Sequence, residues 1–245
     1  TTKLKDDIPI ERRKELLREA RFMGARTLVI PGEGEPLLYK NFRDIIEYAN
    51  KQGLVSIVFS NGSLLDEDWA KFGRDNNVSY IISHFSLNHK IHKKHTESNT
   101  YDGMRKNLQI LRDVYSGTEE MINGHKAVRL GVNVVVTSLN LNEIPHIREF
   151  CGDDVFFFSN SPVHEGNAVG NWKELCGNDR ENLIKISRQY SETGGPTSAK
   201  IDGMCAYLYD GLTIGTDGEV LACPDARDTR GFMGNAKEES LQKIN

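Results

Sequence analysis

Short apolar runs alternate along this chain with stretches whose apolar residues recur every three or four positions. The runs that read as buried strands span 27–30, 54–60, 78–85, 127–137 and 154–159. The stretches with helical spacing span 10–23, 41–52, 66–76, 100–115, 142–151 and 179–192. Continuous β-branched runs are typical of parallel strands that are covered on both faces. The alternation therefore predicts an α/β fold with a parallel sheet and helices outside it, either barrel-like or open.

The composition changes after about residue 193. The stretch TGGPTSAK (193–200) is rich in turn formers, and paired apolar runs then flank Thr216, Asp217 and Gly218. Such a pattern is typical of a β-hairpin. We therefore predict a βα domain over 1–195 and a small cysteine-bearing domain over 200–245.

Composition narrows the class of protein. The 245 residues carry a formal charge of −4 and only four cysteines. This balance gives no reason to expect nucleic acid or an anionic membrane as a partner, and the cysteines are too few for a disulfide scaffold. No apolar stretch reaches the 18 residues of a membrane span. The expectation is a reduced, cytoplasmic protein.

Candidate chemistry gathers where the predicted strands end. The first strand is followed by a loop with two glycines, two glutamates and a proline: Gly32, Glu33, Gly34, Glu35 and Pro36. Glycines let a backbone approach a ligand closely, and carbonyls or Glu35 could hold an ammonium group. An ordinary βα turn is the alternative. Polar residues also follow the next two strands, at Ser60 and Asn61 and at Ser86 and Asn88.

Four histidines, His84, His89, His92 and His95, lie close together in the sequence. Three are spaced by three residues, so they drift around a helix instead of forming one face. A zinc site needs tighter geometry and supporting ligands. We expect a solvated, lysine-interleaved helix start here.

The cysteines fall into two groups. Cys151 is predicted to end a helix and Cys176 to lie in a loop, and both are expected to be incidental or buried thiols. Cys205 and Cys223 flank the predicted hairpin. A pair brought together in this way can ligate metal or an iron–sulfur cluster, with further ligands from elsewhere.

In their order along the chain, these segments resemble the motifs of the radical S-adenosylmethionine (radical SAM) superfamily. The matching segments are PGEGEPLL (31–38), SNGSLL (60–65), FSLNHKIHKKHT (85–96), TYDGMRKNLQIL (100–111), VNVVVTSLNLNEI (132–144) and PVHEGNA (162–168). The first is similar to the family's GGEP motif, although Glu33 stands where glycine is commonest. The resemblance implies a partial (β/α)6 parallel barrel that binds S-adenosylmethionine (SAM).

The resemblance also implies roles for residues. The loop Gly32–Pro36 would bind the methionyl amino group of SAM, and Ser86 would lie near its ribose and sulfonium. Ser60, Asn61 and Asn88 belong to the same implied site. The spacing Cys205-x12-Gly218-x4-Cys223 is similar to the opening of the SPASM or twitch extension, whose cysteines ligate auxiliary [4Fe–4S] clusters.

One departure from the family is large, because no three cysteines here have the C-x3-C-x2-C spacing that holds the SAM-binding [4Fe–4S] cluster. We expect this chain to be a fragment that is inactive alone. A degenerate, cluster-less barrel that acts as a binding scaffold is the alternative. An ordinary barrel enzyme for a phosphorylated metabolite is disfavoured, since no late loop offers a Gly-rich phosphate cradle.

For the full protein, the resemblance implies reductive cleavage of SAM to a 5′-deoxyadenosyl radical that abstracts hydrogen from a substrate. The expected partners are a peptide or small-molecule substrate and an electron donor such as flavodoxin or ferredoxin. Peptide or protein modification is the favoured activity, and dehydrogenation of a sugar alcohol by a twitch-type enzyme is the alternative. His164 and Glu165 are candidate substrate contacts, with a solvated loop as the simpler interpretation.

Overall fold

The computed structural model describes residues 7–31, 34–122, 124–162, 168–190, 211–223 and 231–244. The helices in these ranges are α1 (Ile10–Phe22), α2 (Phe42–Lys51), α3 (Glu67–Asp75), α4 (His89–Thr96), α5 (Tyr101–Tyr115), α6 (Ile144–Cys151), α7 (Ala168–Cys176), α8 (Arg180–Tyr190) and α9 (Leu241–Ile244). The strands are β1 (Thr27–Ile30), β2 (Val55–Ser60), β3 (Val78–Ser83), β4 (Glu120–Ile122), β5 (His125–Ala127), β6 (Leu130–Val135), β7 (Phe156–Asn160), β8 (Thr213–Ile214), β9 (Glu219–Leu221) and β10 (Phe232–Asn235).

Five strands form the main sheet, in the order β1-β2-β3-β6-β7. Strand β6 runs parallel to both of its neighbours, with Ile82 opposite Val132 and Val132 opposite Phe157. Helices separate most of these strands in sequence, as parallel connections require. The α/β class and the parallel sheet predicted from the sequence are confirmed.

The chain divides into two compact units. The described part of the first comprises 7–29, 38–56 and the described residues beyond 194. Its core joins Ile8 and Leu16 to Val220, Ala236 and Leu241. Strands β8, β9 and β10 belong to this unit and pair antiparallel, which confirms the hairpin predicted around Thr216–Gly218.

The second unit comprises the described residues of 30–37 and 57–193. Its strands bury alternate residues completely, among them Tyr80, Ile82, Val132, Val134 and Phe157. Because successive side chains of a strand point to opposite faces, these residues define one covered face of the sheet. Helices α3, α5 and α8 supply partners for it: the Tyr115 hydroxyl donates to the carbonyl of Val78, and the rings of Tyr80 and Tyr115 meet edge to face.

A glycine is required at the exit of β2. Gly62 has φ of +76°, and a Cβ there would lie 3.0 Å from both Ile82 Cγ2 and Met104 Cγ. The positive φ suits glycine, and the absent side chain lets the loop pack directly on α5 and β3.

Some predicted elements differ from the structure. The apolar run 127–137 is divided, since His125–Ala127 pairs with Glu120–Ile122 in a separate antiparallel hairpin and only Leu130–Val135 joins the main sheet. The expectation that Cys176 lies in a loop is wrong, because Cys176 is the last residue of α7. Cys151 does end a helix, as predicted.

The predicted domain boundary near 195–200 lies outside the described residues and stays a prediction. A search of the described part of the chain for a helix long and apolar enough to cross a bilayer finds none.

Candidate functional site

The loop after β1 is open on one side. Gly34 has φ of +117°, and a Cβ built there would meet no atom within 4 Å. Gly32 and Glu33 lie outside the described residues. Pro36 begins a single 3-10 turn that ends at Leu38. The loop therefore offers exposed backbone at Gly34 beside the partly buried side chain of Glu35.

The carboxylate of Glu35 joins this loop to the exit of β2. Its Oε1 accepts hydrogen bonds from Ser60 Oγ at 2.9 Å and from the Leu37 amide at 3.3 Å, and its Oε2 accepts from the Asn61 amide at 2.8 Å. Ser60 Oγ in turn accepts from the amide of Gly62 at 3.0 Å. A carboxylate has roughly four acceptor positions, so Glu35 keeps about one for a ligand.

The exit of β3 repeats this arrangement with a different glutamate. Glu143 Oε2 accepts from Ser86 Oγ and, at 2.9 Å, from the Leu87 amide. Ser86 Oγ accepts from the Asn88 amide at 2.9 Å, just as Ser60 Oγ accepts from Gly62. The Tyr101 hydroxyl donates to the carbonyl of Leu87 at 2.6 Å. We call each glutamate with its serine and following amide a Glu–Ser clamp.

A related contact holds the exit of β6. The Asn140 side chain accepts from the Thr137 amide at 2.8 Å and donates to the carbonyls of Phe85 and Val135 at 2.7 and 2.9 Å. Asn140 and Glu143 thus both reach from the loop after β6 to the loop after β3. Asn88 itself caps α4, since its Oδ1 accepts from the Lys90 amide at 2.9 Å.

Sequence reasoning identified Ser60, Asn61, Ser86 and Asn88 but missed Glu143. A glutamate at the start of a helix usually indicates a favourable charge at the helix N-terminus, so its sequence position gave no reason to link it with Ser86. The structure brings Glu35 to Ser60 and Asn61, and it brings Glu143 to Ser86 and Leu87. His164 and Glu165 lie outside the described residues.

The histidine segment is a helix, as expected, but it is not solvated throughout. His84, directly after β3, and His92, in α4, are both buried, and their Nδ1 atoms have no hydrogen-bond partner in the described structure. His84 and His92 pack against the ring of Tyr101 at centroid distances of 6.3 and 5.3 Å. The expectation of a solvated helix start is wrong here, because the helix lies against aromatic side chains. We call His84, His92, His95 and Tyr101 the histidine cluster.

Burial keeps these histidines neutral. Desolvation lowers the pKa of His84 from 6.5 to about 3, helped by the nearby charge of Arg105, whose Nη1 lies 3.4 Å from His84 Nε2. Desolvation likewise lowers the pKa of His92 and of His95 to about 4. His95 stacks on Phe85 at 5.3 Å, and its Nε2 lies 3.1 Å from Thr137 Oγ1.

Within the described residues, no three or more His, Cys, Asp or Glu side chains are grouped so that they could hold a metal ion. Cys151 and Cys176 are buried, and burial raises the pKa of the Cys176 thiol. Cys223 is a free, half-buried thiol two residues after β9. Its predicted partner, Cys205, lies outside the described residues, so the pair stays a prediction.

Residues 1–150 match the family model described as "Radical SAM superfamily". That match covers more than half of the chain, and the chain belongs to the radical SAM superfamily. The described residues of the segments 31–38, 60–65 and 85–96 include the exits of β1, β2 and β3, where the Glu–Ser clamps are found.

Individual proteins are more distant. The chain is 20% identical to a protein named Fe-coproporphyrin III synthase from Methanosarcina barkeri, over 83% of this chain and 51% of that protein. It is 28% identical to a probable GTP 3′,8-cyclase from Methanocaldococcus jannaschii, over 53% of this chain and 40% of that protein. The chain thus spans about half the length, or less, of these curated relatives.

Solved structures share the fold. SuiB of Streptococcus suis bound to SAM matches with a TM-score of 0.67 and 16% identity, covering 96% of this chain and 58% of that one. A further structure of SuiB, bound to its precursor peptide SuiA, matches with the same TM-score.

Proposed function

We propose that the full protein containing this chain is a radical SAM enzyme that modifies a peptide or protein. The observation that carries the proposal is the pair of Glu–Ser clamps. They fix the exits of β2 and β3 at segments that resemble motifs with which the family binds SAM. Ligand sites of parallel α/β folds lie at this end of the strands. Fixed loops of this kind lower the cost of ordering a site when a ligand binds.

The residues of this chain fit SAM. The backbone at Gly34 is open to approach, and Glu35 keeps about one acceptor position, which suits an ammonium group. Asn61, at the exit of β2, is half-buried and can contact the rest of the molecule. Ser86, at the exit of β3, is fully buried and would act by holding its loop in place. When bound and reduced by one electron, SAM supplies a carbon-centred radical that abstracts hydrogen, and the protein positions and shields the reactants.

The residues of this chain do not provide a site for the SAM-binding [4Fe–4S] cluster, since no three of its cysteines have the family's spacing. That cluster belongs to the full protein in this proposal. Cys205 and Cys223 are proposed as two ligands of an auxiliary [4Fe–4S] cluster. The half-buried thiol of Cys223 is consistent with such a role.

A peptide substrate is favoured because SuiB, which shares the fold, has been captured with a precursor peptide. The likeness is one of fold alone, so the substrate needs a direct test. An external one-electron donor of the flavodoxin or ferredoxin kind completes the proposal.

The test is anaerobic iron–sulfur reconstitution of the full-length protein, followed by measurement of iron content, SAM affinity and SAM cleavage on reduction. Glu35→Ala and Ser86→Ala should each weaken SAM binding by roughly tenfold, because each frees a strand-exit loop that must then be ordered by the ligand. Glu120→Ala and Ser116→Ala are matched controls on the segment between α5 and β6. A full-length protein that takes up no iron, or an affinity that neither site variant changes, contradicts the proposal.

A further inference from the structure

Strands β6 and β7 present different residues on their two faces. Val132, Val134 and Phe157 are fully buried on the helix-covered face. Ser159 also lies on that face, because its hydroxyl donates to the carbonyl of Ser187 in α8 at 2.8 Å. The Ser187 hydroxyl in turn donates to the carbonyl of Ser159 at 3.0 Å. Since side chains alternate along a strand, Asn133 and Asn160 point to the opposite face.

These two asparagines form a carboxamide pair near the carboxyl ends of their strands. Asn160 Nδ2 donates to Asn133 Oδ1 at 3.1 Å, and both side chains are half-buried. Asn160 is the last residue of β7, and Asn133 lies two residues before the end of β6. The pair therefore lies at the same end of the sheet as the two Glu–Ser clamps.

One hydrogen bond uses only part of the capacity of two carboxamides. Within the described residues, the Nδ2 of Asn133 and the Oδ1 of Asn160 take part in no hydrogen bond, so the pair offers at least one unused donor group and one unused acceptor. Reversing both carboxamides would leave the same two kinds of group. A ligand that hydrogen-bonds to both groups must present an acceptor beside a donor, and an amide does so with its carbonyl and its N–H.

The residues on either side of Asn133 in neighbouring strands are suited to contact an extended peptide. The strand register places Ser83 of β3 opposite Asn133, and it places Phe158 of β7 on the other side of Asn133. A hydroxyl therefore lies on one side of the amide-binding groups and an aromatic ring on the other. No charged residue takes part in this row, which disfavours a carboxylate or phosphate as the group it recognises.

We propose that the Asn133–Asn160 pair binds a backbone amide of the peptide substrate and so sets its register against the site. This inference rests on the proposed function and names the contact that the peptide makes. Ser83 and Phe158 would contact the residues on either side of the bound amide. A sugar alcohol, which carries hydroxyls but no amide, is the competing occupant.

The experiment uses the full-length protein labelled with 15N-asparagine and follows the side-chain amide signals by NMR. The probes are N-acetyl-diglycine N-methylamide, as a minimal pair of peptide amides, and myo-inositol, as a polyol. We expect the diamide to shift the Asn133 and Asn160 signals saturably, and myo-inositol to leave them in place.

Asn133→Asp is the sharp variant, because it keeps the oxygen that accepts from Asn160 and removes the Nδ2 donors. It should weaken diamide binding by about fivefold to tenfold, the effect of one hydrogen bond. Asn99→Asp, in the exposed segment before α5, introduces the same charge and should leave the affinity unchanged. The wild-type titration needs no variant and tests the inference even if Asn133→Asp does not fold.

Absence of any shift with the diamide overturns the inference, and so does a shift with myo-inositol alone. Equal weakening by Asn99→Asp also overturns it, since the effect would then be one of overall charge. SAM cleavage by the same preparation is measured separately. A protein that cleaves SAM but does not bind the diamide loses only this inference, whereas one that cleaves no SAM loses the proposed function.

Discussion

At the scale of single residues, the site depends on serines whose hydroxyls donate and accept at once. Ser60 and Ser86 each donate to a glutamate and accept the amide two residues later. The serines stand out in the sequence because they follow apolar strands. Their glutamate partners do not stand out in the sequence, since they lie 25 and 57 residues away from the serines. A sequence pattern does not tell which strand exits become neighbours in the fold.

Glu143 gives a sharp prediction, because a single oxygen, Oε2, accepts both bonds of its clamp. Glu143→Ala should therefore free the Leu87 amide and raise its hydrogen-exchange rate by about tenfold, the effect of losing one hydrogen bond. Glu143→Gln should restore protection, since its carbonyl oxygen can accept both bonds. Hydrogen exchange measured by NMR or mass spectrometry on the peptide that contains Leu87 checks both variants.

Glu149→Ala, on the exposed side of α6, is the matched control for that experiment and should leave the exchange of Leu87 unchanged. Equal exchange in Glu143→Ala and the wild type would show that the clamp does not hold the loop.

At the scale of elements, the strands of the main sheet were the easiest to predict. Runs such as LVSIVFS are short, apolar and rich in β-branched residues, which is typical of strands in a parallel sheet, although the structure buries only alternate residues of this one. The β4–β5 hairpin was missed because its three-residue strands are mostly exposed and show no alternation. Helix α4 was recognised only as a helix start, because the sequence HKIHKKHT gives no sign that His92 is buried.

Burial of the histidine cluster makes stability depend on pH. The pKa of His92 is about 4 in the folded chain and 6.5 in a model peptide. Below pH 6.5 the unfolded chain therefore binds a proton that the folded chain does not. The free energy of unfolding falls by about 1.4 kcal/mol per pH unit for each such histidine until the pH approaches 4. Stability is full above pH 6.5 and is lost as the pH falls.

His92→Phe should flatten this dependence, because phenylalanine does not titrate. Between pH 6.5 and pH 5 the variant should lose about 2 kcal/mol less than the wild type. Urea unfolding at a series of pH values measures the difference. His146→Phe, at an exposed position of α6, is the control and should follow the wild type. Parallel curves for His92→Phe and the wild type would contradict this account.

At the scale of the whole molecule, the fold class and the family were within reach of the sequence, whereas the site was only partly so. The order of the motif segments indicated the superfamily, and the family match agrees. The Asn133–Asn160 pair was not foreseen, since it depends on the register of two strands and on which face the helices cover. Neither the register nor the covered face can be predicted from one sequence without knowing which strands pair.

Cys223 belongs to the first unit, and the residues of the Glu–Ser clamps belong to the second. If it ligates an auxiliary cluster, Cys223→Ala in the full-length protein should lower the iron content by about one cluster, or roughly four irons. SAM cleavage should persist, because the proposed SAM site uses other residues. Cys176→Ala, at a buried position of α7, should keep all of the iron. Iron and sulfide analysis after reconstitution decides between these results, and an unchanged iron content would exclude Cys223 as a ligand.

The two Glu–Ser clamps have unequal spans along the chain, and this matters while the protein is being synthesised. Glu35 is made before Ser60, so the first clamp can close soon after β2 leaves the ribosome. Ser86 must wait for Glu143, and elongation at about 5–20 residues per second makes that delay several seconds. During that interval the Ser86 hydroxyl and the Leu87 amide lack their glutamate partner, and the cofactor site that we propose is half-formed. If the chain binds a cofactor as proposed, capture of that cofactor is disfavoured until Glu143 has been made.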